Sequence, residues 1–170
     1  NNPVNPGPNI NSPGMEWSPS ISRDARKLYY ALADPFRPDW LGGLDLYVSE
    51  KDSIGNWEPS VSLGINTYGD DYCCAIAPDD TTIYFASWHD HNVSCWRGAV
   101  DLFVAYYSNG IWGYVANLCD PISTEYWERA PAISSSGDTI YFARMWPSLG
   151  TPDDILYSVK EPVVVEEDDT

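Results

Sequence analysis

The sequence predicts an all-β fold, a small β-propeller of three four-stranded antiparallel blades, and three observations carry that expectation. The segment Arg23-Asp24-Ala25-Arg26-Lys27-Leu28-Tyr29-Tyr30-Ala31 returns as Pro78-Asp79-Asp80-Thr81-Thr82-Ile83-Tyr84-Phe85-Ala86 and again as Ser135-Ser136-Gly137-Asp138-Thr139-Ile140-Tyr141-Phe142-Ala143. A repeat of this length, 55 residues from Leu28 to Ile83 and 57 from Ile83 to Ile140, is one supersecondary unit that must bury its apolar face against its copies. Aromatic residues make up 14% of the chain, including 8 Trp and 12 Tyr. With abundant Gly, Pro and Ser they favour short strands and turns, and no stretch has the period of an amphipathic helix.

The first repeat reads as strands over Trp17–Ser22, Lys27–Ala33, Leu44–Ser49 and Trp57–Leu63. Arg23-Asp24-Ala25-Arg26 has the size of a hairpin turn, 34–43 is a Pro/Gly-rich loop, and 51–56 contains Asp-Ser-Ile-Gly. The second repeat reads as Tyr72–Ala77, Thr82–Ser87, Val100–Tyr106 and Ile111–Leu118, the last pair joined at Asn109-Gly110, where both residues tolerate positive φ. The third supplies Arg129–Ser134, Thr139–Arg144 and Asp154–Lys160 and then departs from the pattern. With 170 residues the three units are expected to share one domain: blade 1 at about 12–64, blade 2 at about 65–119, blade 3 at about 120–160, and an acidic tail at 161–170.

Successive four-stranded meanders are the blades of a propeller. The order of an acidic residue, a Pro-x-Ile-Ser-like strand, a turn, Leu/Ile-Tyr-Phe/Tyr, a Gly-rich loop, Asp-Leu-Tyr-Val and Gly-x-Trp resembles the WD40-like PD40 repeats of TolB-type propellers and bacterial envelope proteins. The resemblance runs from about Gly7 to Lys160. It implies that Glu16, Asp71 and Glu128 are the acid ahead of the innermost strand, and that Asp45, Asp101 and Asp154 open the third strand. Trp57 and Trp112 close the Gly-x-Trp element, with no third counterpart. At recurring blade positions such residues serve the architecture, hydrogen-bonding turns and backbone amides.

The third blade lacks a strand. The N-terminal segment about 3–11, including Val4, resembles the end of a fourth strand and is expected to complete it. Val163, Val164 and Val165 form a β-branched run seeking a sheet edge, in the same chain or in a neighbour by strand addition.

A formal net charge of −16 opposes nucleic acid and anionic membrane surfaces, which need Lys and Arg. No apolar run is long enough to span a bilayer. The start at Asn1 without Met fits a processed mature protein or a fragment, with export to the cell surface or beyond the preferred expectation, and Asn92-Val93-Ser94 is a glycosylation sequon. Cys73, Cys74, Cys95 and Cys119 are then expected to form two disulfides, tying the strand at 73–76 to the loop near 95 and the strand end at 119. Adjacent strand residues point to opposite faces, so Cys73 and Cys74 need different partners. The spacing lacks the paired C-x-x-C knuckles of structural zinc.

His89-Asp90-His91 in an extended loop would turn both rings to one side, as a metal requires, without an obvious third ligand. Asp70-Asp71 with Asp79-Asp80 crowd carboxylates enough to make calcium the cofactor to consider, though without EF-hand spacing. Gly-x-Ser-x-Gly is absent, and the Asp-Ser-Ile-Gly-Asn-Trp segment resembles the Asp-box turn of sialidase propellers with altered spacing. Trp40, Trp88, Trp96, Trp127 and Trp146 fall in or near loops, suited to stacking on sugars or on a second subunit. The expectation is a non-catalytic structural subunit that self-associates through strand edges and aromatic loops, as an oligomer or extracellular filament. The alternative is a cell-envelope binding module for a glycan, peptide or protein.

Overall fold

A computed structural model describes residues 2–89, 91–97, 100–146 and 153–160. It contains eleven strands and no helix among those residues: β1 (Met15–Ile21), β2 (Lys27–Ala33), β3 (Asp45–Glu50), β4 (Val61–Ser62), β5 (Asp71–Ile76), β6 (Thr82–Ser87), β7 (Asp101–Ser108), β8 (Ile111–Asn117), β9 (Trp127–Ile133), β10 (Thr139–Met145) and β11 (Asp154–Val159). They form three antiparallel sheets in chain order, β1-β2-β3-β4, β5-β6-β7-β8 and β9-β10-β11. The fourth strand expected over Trp57–Leu63 shrinks to β4 with an isolated bridge between Lys51 and Trp57, because Pro59 has no amide hydrogen to give a ladder.

The first hairpin of each sheet is built alike. Its four-residue turn closes with the amides of Ser22, Ala77 and Ser134 donating to the carbonyls of Lys27, Thr82 and Thr139 at 2.8–2.9 Å. Its third position is left-handed in all three: Ala25 at φ 57°, Asp80 at 57° and Gly137 at 78°. The first strand of each sheet also carries a bulge in the same place, with Ser18, Cys73 and Ala130 left-handed at φ 50°, 51° and 51°. A bulge sharpens the twist of an innermost strand and interrupts its pairing.

The sheets stack in a row through alternating faces of the second and third strands. Tyr29, Ala31 and Leu46 of the first sheet pack on Ile83, Phe85 and Phe103 of the second. The opposite face of the second, Tyr84, Ala86, Leu102 and Val104, packs on Ile140 and Phe142 of the third. Period-two alternation lets one apolar strand serve two interfaces. Main-chain bonds stitch the row where a third strand starts beside the next sheet's first strand: Asp71 N–H donates to Leu44 O at 2.6 Å and Glu128 N–H to Val100 O at 2.8 Å.

The first sheet's remaining face is covered by the N-terminal segment. Ile10 is buried against Tyr30, Leu32 and Tyr47, with Leu28 and Trp57 at the margin, and Asn9 Nδ2 donates to Trp57 O. This corrects the expectation that residues 3–11 complete the third sheet. Pro3, Pro6 and Pro8 interrupt strand pairing, Val4 is fully exposed, and the apolar face of β2 and β3 offers Ile10 more burial than a sheet edge would. The third sheet therefore has three described strands, and the row is not closed. Val163, Val164, Val165 and the acidic tail lie outside the described residues.

Candidate functional site

The recurring acids ahead of the innermost strands are clamps for the turn that precedes them. Ser12, Thr67 and Thr124 stand four residues before Glu16, Asp71 and Glu128. Each gives both its amide and its hydroxyl to that carboxylate, at 2.6 and 2.7 Å, 2.6 and 2.9 Å, and 3.0 and 2.6 Å. The same hydroxyls accept the amides of Gly14, Gly69 and Tyr126. What faces the acid differs by sheet: His91 Nε2 lies 3.0 Å from Asp71 Oδ1, and Arg144 Nε donates to Glu128 Oε1 at 2.7 Å.

The acids opening the third strands diverge. Asp45 and Asp101 are fully buried, each with Oδ1 lacking a hydrogen-bond partner. Asp45 Oδ2 accepts the Leu41 amide, whereas Asp101 Oδ2 accepts the Arg97 amide and Asn117 Nδ2. Burial pushes both carboxyls up to about 6; nearby Asp71 adds to the rise at Asp45 and Glu128 to that at Asp101, against the opposing hydrogen bonds. Asp154, at the corresponding place, is exposed, since among the described residues no strand packs over it.

His89 and His91 do not form the expected pair. His91 has left-handed backbone at φ 49°, so the segment is not extended, and its ring packs between Phe85 and Phe103 with centroids at 5.3 and 4.7 Å. His89 is exposed. The carboxylates considered for calcium separate as well. Asp70 Oδ1 accepts the Leu44 amide and Asp71 holds Thr67, while Asp79 caps Thr81 and Thr82 at the opposite end of β5. Gly43, left-handed at φ 61°, is required there, because a Cβ would collide with the Asp70 carboxylate. Among the described residues no group of three His, Cys, Asp or Glu could hold a metal ion.

One disulfide joins Cys95 to Cys119. Cys73 and Cys74 are free, which corrects the expected second bridge. They lie on the bulge of β5 against β1, where Cys73 Sγ is 3.5 Å from Ser18 Oγ and Cys74 Sγ reaches Ser18 O. Burial pushes the Cys74 thiol up to about 12.

Of the loop tryptophans, Trp127 packs on Trp88 with centroids 4.8 Å apart, Trp146 packs on Tyr126 at 4.3 Å, and Trp40 Nε1 donates to Gly43 O. Trp88 and Trp96 keep part of their surface exposed. Trp112 enters the interface between the first two sheets, edge-on to Tyr29 at 5.9 Å, and Trp57 lies under Lys51 at 4.7 Å.

The outer face of the third sheet is the surface that sequence reasoning missed. Ile155 stands where Leu46 and Leu102 stand in the other sheets; those are 0% exposed and Ile155 is 73%. Tyr141 is 45% exposed, where its counterparts Tyr29 and Tyr84 are 2% and 7%. Tyr157 pairs across the strands with Tyr141, ring centroids 5.8 Å apart, and Val159 continues the apolar row. The repeat alignment contained this signal, but only the order of packing shows which copy is left uncovered.

No family model matches the chain, and no curated protein matches it in sequence. Solved structures do resemble it. TolB from Acinetobacter baumannii superposes with a TM-score of 0.59 at 16% identity, covering 84% of this chain and 29% of that one. The putative TolB from Agrobacterium tumefaciens gives 0.61 at 19%, covering 88% and 46%. The Hadza microbial sialidase Hz136 gives 0.55 at 13%, covering 85% and 35%. The fold is β-propeller-like. The chain spans less than half the length of each of these structures, and at such identities the likeness speaks for fold alone.

Proposed function

We propose that this chain is a non-catalytic structural module that self-associates through the outer face of its third sheet. The observation that carries the reading is Ile155: an aliphatic side chain in the row that the other two sheets bury completely, standing in solvent beside Tyr141 and Tyr157. An exposed apolar patch at a position built for sheet-on-sheet packing marks an interaction surface, and a second copy meeting it face to face gives a closed, two-fold contact. The covered first sheet favours this over head-to-tail growth, because a neighbour would have to displace Ile10. The run 163–165 lies outside the described residues, and its addition to β11, the edge strand among those described, is the proposed route from pairs to a filament. Glu16, Asp71 and Glu128 support the non-catalytic part, since their carboxylates are engaged by the preceding turns and, in the last two, by His91 and Arg144. The Cys95–Cys119 bridge supports export, disulfides being characteristic of oxidising compartments.

Sedimentation velocity on the whole chain, from micromolar to millimolar, tests the proposal. Dimers or larger species are expected, strengthened by salt because two chains of charge −16 repel. Ile155→Glu with Tyr157→Glu is expected to give monomers with unchanged circular dichroism, and removal of 161–170 to abolish growth beyond pairs. A monomer at millimolar concentration overturns it.

A further inference from the structure

A separate cavity lies at the rim between the first two sheets. It is a cleft of about 540 Å³ between β3–β4 on one side and the β7–β8 hairpin on the other, within the usual range for small-ligand sites. Its wall is aromatic: Tyr29 meets Trp112 at 89° between planes, and Tyr107 meets Trp112 at 52° with centroids 5.3 Å apart. Its rim carries Glu50, Glu58 and Asp80. Tyr29, 2% exposed, lines the cleft.

We infer that this cleft binds the cationic side chain of a basic peptide, an arginine or lysine. Three rings set at steep angles make a corner rather than a flat platform. A corner surrounds a compact cation with ring faces, whereas a pyranose needs one open face to stack on. The rim supplies three carboxylates against one ammonium, so the cleft is electronegative on a strongly acidic protein. That ammonium already uses the chemistry expected of the ligand: Lys27 Nζ sits 3.9 Å from Glu50 Oε2 and 5.8 Å from the Tyr107 ring centroid. A guanidinium deeper in the cleft would pair with Asp80 and Glu58 and offer its remaining N–H groups to the Tyr29 hydroxyl. The site is distinct from the third-sheet face and does not depend on self-association.

Isothermal titration of the whole chain with tetra-arginine, tetra-lysine, tetra-glutamate and chitotetraose at physiological salt tests the assignment. Tetra-arginine is expected to bind most tightly and to perturb Trp fluorescence. Glu58→Gln with Asp80→Asn is expected to weaken it at least tenfold, while Asp120→Asn with Glu125→Gln, which removes the same charge far from the cleft, leaves it within twofold. Lys27→Ala is expected to raise affinity several-fold by vacating the resident ammonium, and Lys160→Ala, with the same change of net charge, is not. Equal weakening by both acidic pairs reduces the effect to bulk charge and overturns the site. Chitotetraose binding in place of tetra-arginine overturns the ligand class, and no binding of either peptide at millimolar concentration overturns both.

Discussion

His91 Nε2 lies 3.0 Å from Asp71 Oδ1 across twenty residues of chain, with both side chains almost entirely buried. The pair fixes the loop after β6 to the start of β5, and through the Asp71 amide to Leu44 of the first sheet. His91→Ala removes the partner facing Asp71 Oδ1 together with a ring packed between Phe85 and Phe103, and is expected to cost about 3 kcal/mol. Thr67→Ala strips the hydroxyl's bond to the same carboxylate and leaves the Gly69 amide without its acceptor, and is expected to cost about 2 kcal/mol. Ser12→Ala costs less, because Glu16 is only partly buried. Urea unfolding of the three variants checks the order.

Asp45 and Asp101 are expected to make the protein less stable as pH rises. In the unfolded chain their carboxyls ionise near the ordinary value of about 4, and in the fold near 6. Below pH 4 both states are protonated and the groups are neutral to stability. Between 4 and 6 the unfolded chain releases protons that the fold retains, so stability falls, and above 6 the loss is complete. Asp45→Asn and Asp101→Asn are each expected to flatten this slope and to raise the urea midpoint at pH 8.

Ala25 occupies a left-handed turn position that the third hairpin fills with Gly137. Ala25→Gly is expected to stabilise by about 0.5–1 kcal/mol, since Cβ clashes with the neighbouring carbonyl in that conformation. Asp80→Gly provides the contrast. It relieves the same strain but removes the acceptor for the Arg23 amide at 2.9 Å, so its gain is smaller or absent. Thermal denaturation distinguishes the two.

The Cys95–Cys119 bridge closes a loop with a sequence separation of 24. Its loss in Cys95→Ser with Cys119→Ser is expected to cost about 3 kcal/mol and to make stability indifferent to dithiothreitol. In the native wild type, iodoacetamide at pH 8 is expected to spare Cys74, whose burial keeps it a thiol. Mass spectrometry of the alkylated peptide shows which cysteine reacts, and modification of Cys74 at the rate of a free thiol contradicts the packing of β5 on β1.

The residues themselves encoded the strands. The Leu-Tyr-Tyr, Ile-Tyr-Phe and Ile-Tyr-Phe cores and their turns place ten of the eleven strands within two residues of where they lie, because period-two patterning and turn chemistry are local. The acids at Glu16, Asp71 and Glu128 could be picked out by repetition, and the serine or threonine four residues earlier was available as a signal for their role. Position in the row of sheets was not local. Ile155 and Leu102 sit in equivalent sequence, and among the described residues it is the sheet packed over Leu102 that separates the buried side chain from the exposed one. Likewise Ile10 chose the first sheet over the third, Cys73 and Cys74 met Ser18 instead of other cysteines, and His91 turned inward to Asp71. Sequence by itself determined the repeat, the strands and the hairpins, since these depend on neighbours a few residues away. The tertiary structure decided which face is covered, which acid is desolvated and where a cleft opens, since these depend on surfaces meeting from distant parts of the chain.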